Sequence, residues 1–291
     1  MNEIILNDRA VIAVTGPDAE HFLQNLVTTN LDDLSVGHAR AGALLTPQGK
    51  ILLDFVISRR GEGGFLLETD RELKNDLVKR LTLYKLRASV TIAADELVHV
   101  FVSSDDAAQG PGLRDERFRT GQTVRRHYRA SPDIAGDTPR QDYDRLRIIN
   151  GVAECPADFA ASDVFPHNVL YDLNGGVSFR KGCFVGQEVV SRMQHRGSAR
   201  RRTLVAVSDG APIPSGAALL AGEKTIGTTG TAVETQALVI ARTDRVSDAL
   251  ASDTALTIGN TAVTLAFPAW TGLSLQPGLA SGTDQRAGEQ A

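Results

Sequence analysis

KGCFVGQEVVSRMQHRG, Lys181 to Gly197, puts a thiol, an amide, a carboxylate and several cations into seventeen residues. Gly182 and Gly186 bracket Cys183, Phe184 and Val185, so the backbone there can turn tightly or approach a ligand without a side chain in the way. From Gln187 the spacing predicts a helix: Val189, Val190 and Met193 form an apolar face, while Glu188, Arg192 and Arg196 repeat every fourth residue along another. Gly197 is the expected stop. A helix start offers free N–H groups and a positive dipole end, which favour anions and lower the pKa of a nearby thiol. The plain alternative is a solvated Glu188–Arg192 pair and a small, buried, apolar Cys183.

The string resembles the signature of the YgfZ family, the tetrahydrofolate-binding relatives of the glycine-cleavage T-protein (aminomethyltransferase) that assist iron–sulfur cluster assembly. Lys181, Gly182, Cys183, the aromatic Phe184, Gly186, Gln187, Glu188, Arg192 and the Arg196-Gly197 pair stand where that signature expects them. The opening VTGPDAEHFLQNLVTTNL and the later LxxYxLRxxV pattern around Tyr84 also look like that family. The resemblance implies a pocket for tetrahydrofolate or another reduced folate. Its expected binding residues are Glu188, Gln187, Arg192, Arg196, Asn30, Tyr84 and Phe184, with Asp32 a further candidate beside Asn30. Cys183 is the implied reactive centre, with Lys181 favouring its thiolate. Asp54 matches a carboxylate that the T-protein needs for methylene transfer, but Leu53 stands where that motif has a second acid.

Composition bounds the reading. The chain has 291 residues, 42% of them hydrophobic and 23% charged, with a net charge of −4. This is an ordinary globular balance, long enough for two or three units, and it argues against wholesale nucleic-acid binding. With no apolar run of about eighteen residues and no leader-like start, the expectation is a cytoplasmic protein without membrane contact. Cys155 and Cys183 form no CxxC pair, and the six histidines do not cluster with them, so no metal site is expected.

Taken in order, residues 10–14 read as a strand and 17–27 as a helix entered through Pro17. Residues 41–45 and 51–57 read as a hairpin about Thr46-Pro47-Gln48-Gly49-Lys50, with Asp54 set in the second apolar run. A strand over 65–68 leads to Asp70, the expected cap of a helix carrying Leu73, Leu77 and Leu81. Strands follow near 90–92 and 98–102, and from 103 to 137 the periodicity fades. Thr138-Pro139 should start a helix with Tyr143, Leu146 and Ile149 inward and Gly151 closing it. His167, beside a proline, reads as a surface or packing residue. Arg192, Arg196, Arg200, Arg201 and Arg202 form a dense basic patch, either solvated or available to carboxylates. Six β-like runs between residues 203 and 267 predict a small barrel, and residues 277–291 have the composition of a disordered tail.

The expected fold is α+β: two intertwined lobes over residues 1–200, an antiparallel β-barrel over 201–276, then the tail. The interleaving comes from the resemblance. Three functions compete: a folate-dependent accessory factor for iron–sulfur cluster assembly or repair, a glycine-cleavage aminomethyltransferase, and a scaffold or RNA-binding module using the arginine patch. The first fits the signature best. It implies a monomer whose partners are folate and iron–sulfur client proteins or their assembly machinery.

Overall fold

The computed structural model describes residues 3–61, 63–105, 110–130, 139–197 and 199–275. The chain opens with β1 (Glu3–Ile5) and β2 (Arg9–Thr15). Along β2, Ile12 and Val14 enter one core and Val11 another, the period of two expected for a strand covered on both faces. Helix α1 (Ala19–Gln24) is shorter than the sequence suggests. Thr28 ends the option of a longer helix: its N–H goes to Ala43 O at 3.1 Å and its hydroxyl to Gly176 O at 2.6 Å.

Next come β3 (His38–Leu45), β4 (Ile51–Arg59), β5 (Gly64–Asp70), α2 (Lys74–Lys85), β6 (Thr91–Asp95), β7 (His99–Asp105), β8 (Leu113–Asp115) and β9 (Thr123–Arg129). Asp70 does not cap α2; its Oδ1 accepts the Glu72 N–H at 2.8 Å, and the helix begins two residues later. The segment where periodicity faded supplies β8 and β9, whose arginines hide their strand pattern. Helix α3 (Arg140–Asn150) buries Tyr143, Arg147, Ile148 and Asn150 and closes on a left-handed Gly151. Ile149 points out, 44% exposed, because one helical step turns it off the face that Ile148 occupies. Thr138 and the tail from 277 on lie outside the described residues.

The nine strands form one sheet in the order β1-β7-β9-β8-β3-β4-β5-β2-β6, antiparallel except where β8 runs beside β3. Helices α1 and α2 cover one face through Phe22, Leu23, Leu77 and Leu81. Helix α3 and the winding segment after it cover the other. That segment holds a 3-10 turn at Pro166–Val169, then α4 (Tyr171–Asn174) and α5 (Gln187–Arg196). The barrel then closes from β10 (Arg201–Ser208), β11 (Ala218–Ala221), β12 (Lys224–Val233), β13 (Gln236–Arg242), β14 (Leu256–Ile258) and β15 (Thr261–Ala266). Between β13 and β14 sits α6 (Thr243–Ala251), absent from the sequence reading, which plugs Val246 and Ala249 into the barrel core.

Beneath the α3 face lies a network of buried charge. Arg126 bridges Glu68 at 2.7 Å and Asp115 at 3.0 Å, and Arg117 bridges Asp115 and Glu154. Burial alone would raise the Glu154 pKa, but Arg9, Arg147, Arg117 and Arg126 outweigh it and hold the carboxyl well below its usual range. Arg147 extends the network to the barrel: it meets Asp158 at 2.6 Å and Thr231 of β12 at 2.7 Å. Asp158 also accepts the Thr231 N–H, and Gly230 makes this approach possible, since a Cβ there would lie 2.4 Å from the Asp158 carboxylate.

Candidate functional site

The loop before α5 is held from two sides. Lys181 Nζ donates to Val27 O at 2.7 Å and Thr29 O at 2.9 Å, tying the loop to the turn after α1. Thr28 and Thr29 strengthen the same seam through Gly176 O and Gly175 O. Burial lowers the Lys181 pKa from 10.5 to about 8, with Asp32 opposing. On the other side, Gly186 and Gly49 of the β3–β4 hairpin meet backbone to backbone, each at φ +80°. Phe184 is buried under the loop with the Lys181 ammonium 5.5 Å from its ring centroid, and Val190 anchors α5 in the same core.

This clamping leaves Cys183 exposed. Two residues on, Val185 joins Leu26, Leu44, Leu45, Leu52 and Tyr84 in lining an apolar cleft of about 10 Å³, room for about one water. Tyr84 stands at its edge, 39% exposed. Glu188 projects from the first turn of α5 and pairs with Arg192 at 2.5 Å, the two side chains 84% and 55% exposed. Arg196 has no ion-pair partner among the described residues, and Gln187 is half-buried at the helix start. Asn30 accepts from Gln24, which also reaches Asp32 at 3.1 Å.

Asp54 belongs to a different environment. It faces away from α1 and α2, is only 3% exposed, and accepts the Cys155 N–H at 3.3 Å through Oδ2, while Oδ1 has no partner. Burial and then Glu154 raise its pKa to about 7, against Arg9, the Cys155 N–H and Arg117. Among the described residues, no hydrogen bond or ion pair joins Asp54 to Lys181 or Cys183. Lys181 itself spends its protons on carbonyls. The structure therefore gathers Lys181, Phe184, Gln187, Glu188 and Tyr84 around the loop and leaves Asp54 under the α3 face.

Residues 7–105 match the GCVT N-terminal domain, and residues 200–273 match the CAF17 C-terminal beta-barrel domain. The mouse mitochondrial iron–sulfur cluster assembly factor IBA57 is 30% identical over 257 residues, which are 78% of this chain and 72% of that protein. The chain belongs to the IBA57 family. A Neurospora crassa homologue of the IBA57 factor, also named mitochondrial, is 30% identical over 227 residues, 68% of this chain. The match spans 52% of the Neurospora protein, and for a Pyricularia oryzae homologue 56%. The chain thus spans little more than half the length of these fungal IBA57 relatives. The crystal structure of aminomethyltransferase T from Bartonella henselae superposes with a TM-score of 0.73 at 16% identity, covering 95% of this chain and 87% of that one. The fold is that of the T-protein, closed by an antiparallel six-stranded barrel.

These relatives correct one expectation. The sequence reading placed the chain in the cytoplasm, whereas the matched IBA57 proteins are named mitochondrial. Of the two roles the sequence suggests for His167, surface or packing, the structure shows packing: it is 1% exposed, with Nε2 on Gln194 of α5 at 3.0 Å and Nδ1 unpartnered. Burial lowers its pKa, Asp172 and the Gln194 bond opposing and Arg202 adding. The basic patch is partly spent: Arg202 grips Asp172 with both carboxylate oxygens within 2.8 Å, and Arg201 meets Asp163 at 3.3 Å. The buried charge network escaped sequence reading altogether. The only signal for it was Arg9 and Glu68 beside or within apolar strand-like runs, whereas Arg126 sits in the polar TVRRHYR stretch of β9.

Proposed function

We propose that the chain is a tetrahydrofolate-binding accessory factor for assembly or repair of iron–sulfur clusters in target enzymes. The observation that carries this is the signature loop clamped between Lys181 and Gly186, which leaves Cys183 exposed and lines an apolar cleft through Val185. The names of the IBA57 relatives as iron–sulfur cluster assembly factors support the cluster half of the reading.

The folate half rests on the donor set. A pterin needs an apolar wall and a carboxylate for its N–H groups, and a glutamyl tail needs a cation. Tyr84 and Val185 offer the wall, Gln187 and Glu188 the polar partners, and Arg192 or Arg196 the cation, with Asn30 across the seam. This chemistry fits a reduced folate. The cleft as it stands, about 10 Å³, does not, so the ring enters only as Tyr84 and Val185 move aside. When bound, the folate supplies a one-carbon carrier. Glu188 would then orient the ring at the expense of its bond to Arg192, and Cys183 would remain the reactive group on the loop.

Aminomethyl transfer is disfavoured by Leu53, which is 3% exposed and packed in the core under α1 and α2. The test is a calorimetric titration with tetrahydrofolate, paired with a glycine-cleavage assay. Wild type should bind without supporting glycine cleavage. Glu188→Ala should weaken binding about ten- to a hundredfold, the worth of one charge-assisted hydrogen bond. A folded Glu188→Ala protein that binds as tightly as wild type would overturn the folate assignment.

A further inference from the structure

The outer face at the end of α2 carries side chains that neither packing nor backbone preference explains. Leu83 is 59% exposed, Tyr84 39% and Leu86 88%. Leu83 lies in the last turn of α2, and Leu86 directly follows its last residue, Lys85. Leu86 is the C-cap residue, with φ +45° and ψ −107°. Glycine adopts that conformation without penalty, whereas a leucine there is strained. A strained backbone carrying an exposed leucine gains nothing for the fold from that side chain.

The charge along this segment of the chain has one sign. From Lys79 to Ala94 the chain holds Lys79, Arg80, Lys85 and Arg87 and no carboxylate, within a protein whose acids outnumber its bases 35 to 31. None of these four cations has an ion-pair partner among the described residues. The acids of α2 and its lead-in, Glu72 and Asp76, lie at the opposite end of the helix, and Glu96 is taken by Lys74. Asp18, packed against this end, receives the Ser89 N–H at 2.7 Å. The patch runs on to the signature loop, because Tyr84 and Val185 line the same cleft.

We propose that the end of α2 is a docking surface for a partner protein that presents an apolar anchor ringed by carboxylates. Leu83 and Leu86 supply the desolvated centre, and Lys79, Arg80, Lys85 and Arg87 supply the complementary rim that steers approach. The partner is thereby brought to the loop that displays Cys183. This surface is independent of the folate reading.

The probe is a synthetic amphipathic helix with a leucine stripe flanked by glutamates, titrated by fluorescence anisotropy at low and moderate salt. A lysine-flanked version and phosphatidylglycerol vesicles form the other two arms. Wild type should bind the acidic peptide, more weakly at higher salt, and should bind neither the lysine-flanked peptide nor the vesicles. Leu86→Gly should melt no lower than wild type, since glycine suits the backbone, yet lose at least about tenfold in peptide affinity, as expected for a central anchor. Leu83→Ser should lose affinity likewise. Both variants should keep tetrahydrofolate affinity, which separates this surface from the folate site. Equal peptide binding by wild type and Leu86→Gly would overturn the proposal. So would absence of peptide binding to wild type, and so would vesicle binding that Leu86→Gly abolishes, which would assign the patch to a lipid surface.

Discussion

Gly49 in the β3–β4 hairpin and Gly186 at the head of α5 are pressed together, so that a Cβ on Gly186 would lie 2.5 Å from Thr46 O and 2.9 Å from Gly49 Cα. The contact is with backbone, which cannot rotate away, and both glycines are left-handed at φ +80°. Gly186→Ala should therefore cost about 2 kcal/mol or more in urea unfolding, combining left-handed strain with displacement of the hairpin. Gly49→Ala meets Val189 and Gly186 at 3.1–3.2 Å and should cost less. If Gly186→Ala unfolds at the wild-type midpoint, the clamp on the signature loop is not rigid.

The buried network predicts an asymmetry between losing a buried charge and losing an exposed one. Arg126 is fully buried, and replacing it by methionine takes one arginine from each of two buried carboxylates, leaving Glu68 with Arg9 and Asp115 with Arg117. Removing one partner of a buried pair costs about 3–5 kcal/mol. Arg126→Met should lose stability on that scale in chemical denaturation, whereas Arg192→Met, at an exposed helical pair, should change it by less than about 1 kcal/mol. Similar losses in both would remove the distinction between the two kinds of pair.

Asp54 gives a pH signature. Its folded pKa, about 7, lies above the usual 3.8 of an exposed aspartate. Between those values the folded state holds more protons than the unfolded one, so this group's contribution falls as pH rises from about 4 to 7. Asp54→Asn cannot ionise. Wild type should lose stability relative to Asp54→Asn across that window, on the order of 3 kcal/mol in total. Unfolding midpoints measured from pH 4 to 8 check this, and a constant difference between the two proteins would mean that Asp54 titrates with an ordinary pKa.

How much was legible in the sequence follows from which interactions are local. The α5 helix was readable to the residue because Gly186 and Gly197 bracket it, and all six barrel strands because turn residues separate short apolar runs. The lengths of α1 and the start of α2 were not, since Thr28 and Asp70 make hydrogen bonds set by neighbouring backbone rather than by helical periodicity. Candidate site residues near one another in sequence, Lys181 to Glu188, could be named together. Lys181's true partners, the carbonyls of Val27 and Thr29, lie about 150 residues away and carry no side-chain signal. Asp54 could be flagged as a carboxylate in an apolar strand, but its burial near Arg9, Glu154 and Arg117 depends on three distant segments meeting. The exposed Leu86 was invisible because solvent exposure at a helix end is a property of the packed fold.

The two cysteines should differ sharply in reactivity, for reasons of access as much as chemistry. Cys155 is 2% exposed, and burial followed by Asp54, Asp70 and Asp158 pushes its thiol up to about 12, so at neutral pH almost none is ionised. Cys183 is exposed on the clamped loop. Iodoacetamide at pH 7.5 should therefore label native protein once, at Cys183, with Cys155 reacting only after unfolding. Peptide mass mapping of the labelled sites reads this directly, and a rate ratio of about a hundredfold or more is expected. Saturating tetrahydrofolate should slow labelling of Cys183 if the ring enters beside Tyr84 and Val185. Cys183→Ser removes the nucleophile with little change in volume, so it should fold and bind folate as wild type does while failing to restore an iron–sulfur enzyme in cells lacking the protein. Full rescue by Cys183→Ser would reduce Cys183 to a surface residue, and native labelling of Cys155 at the same rate would mean that the α3 face opens far more readily than its buried charges allow.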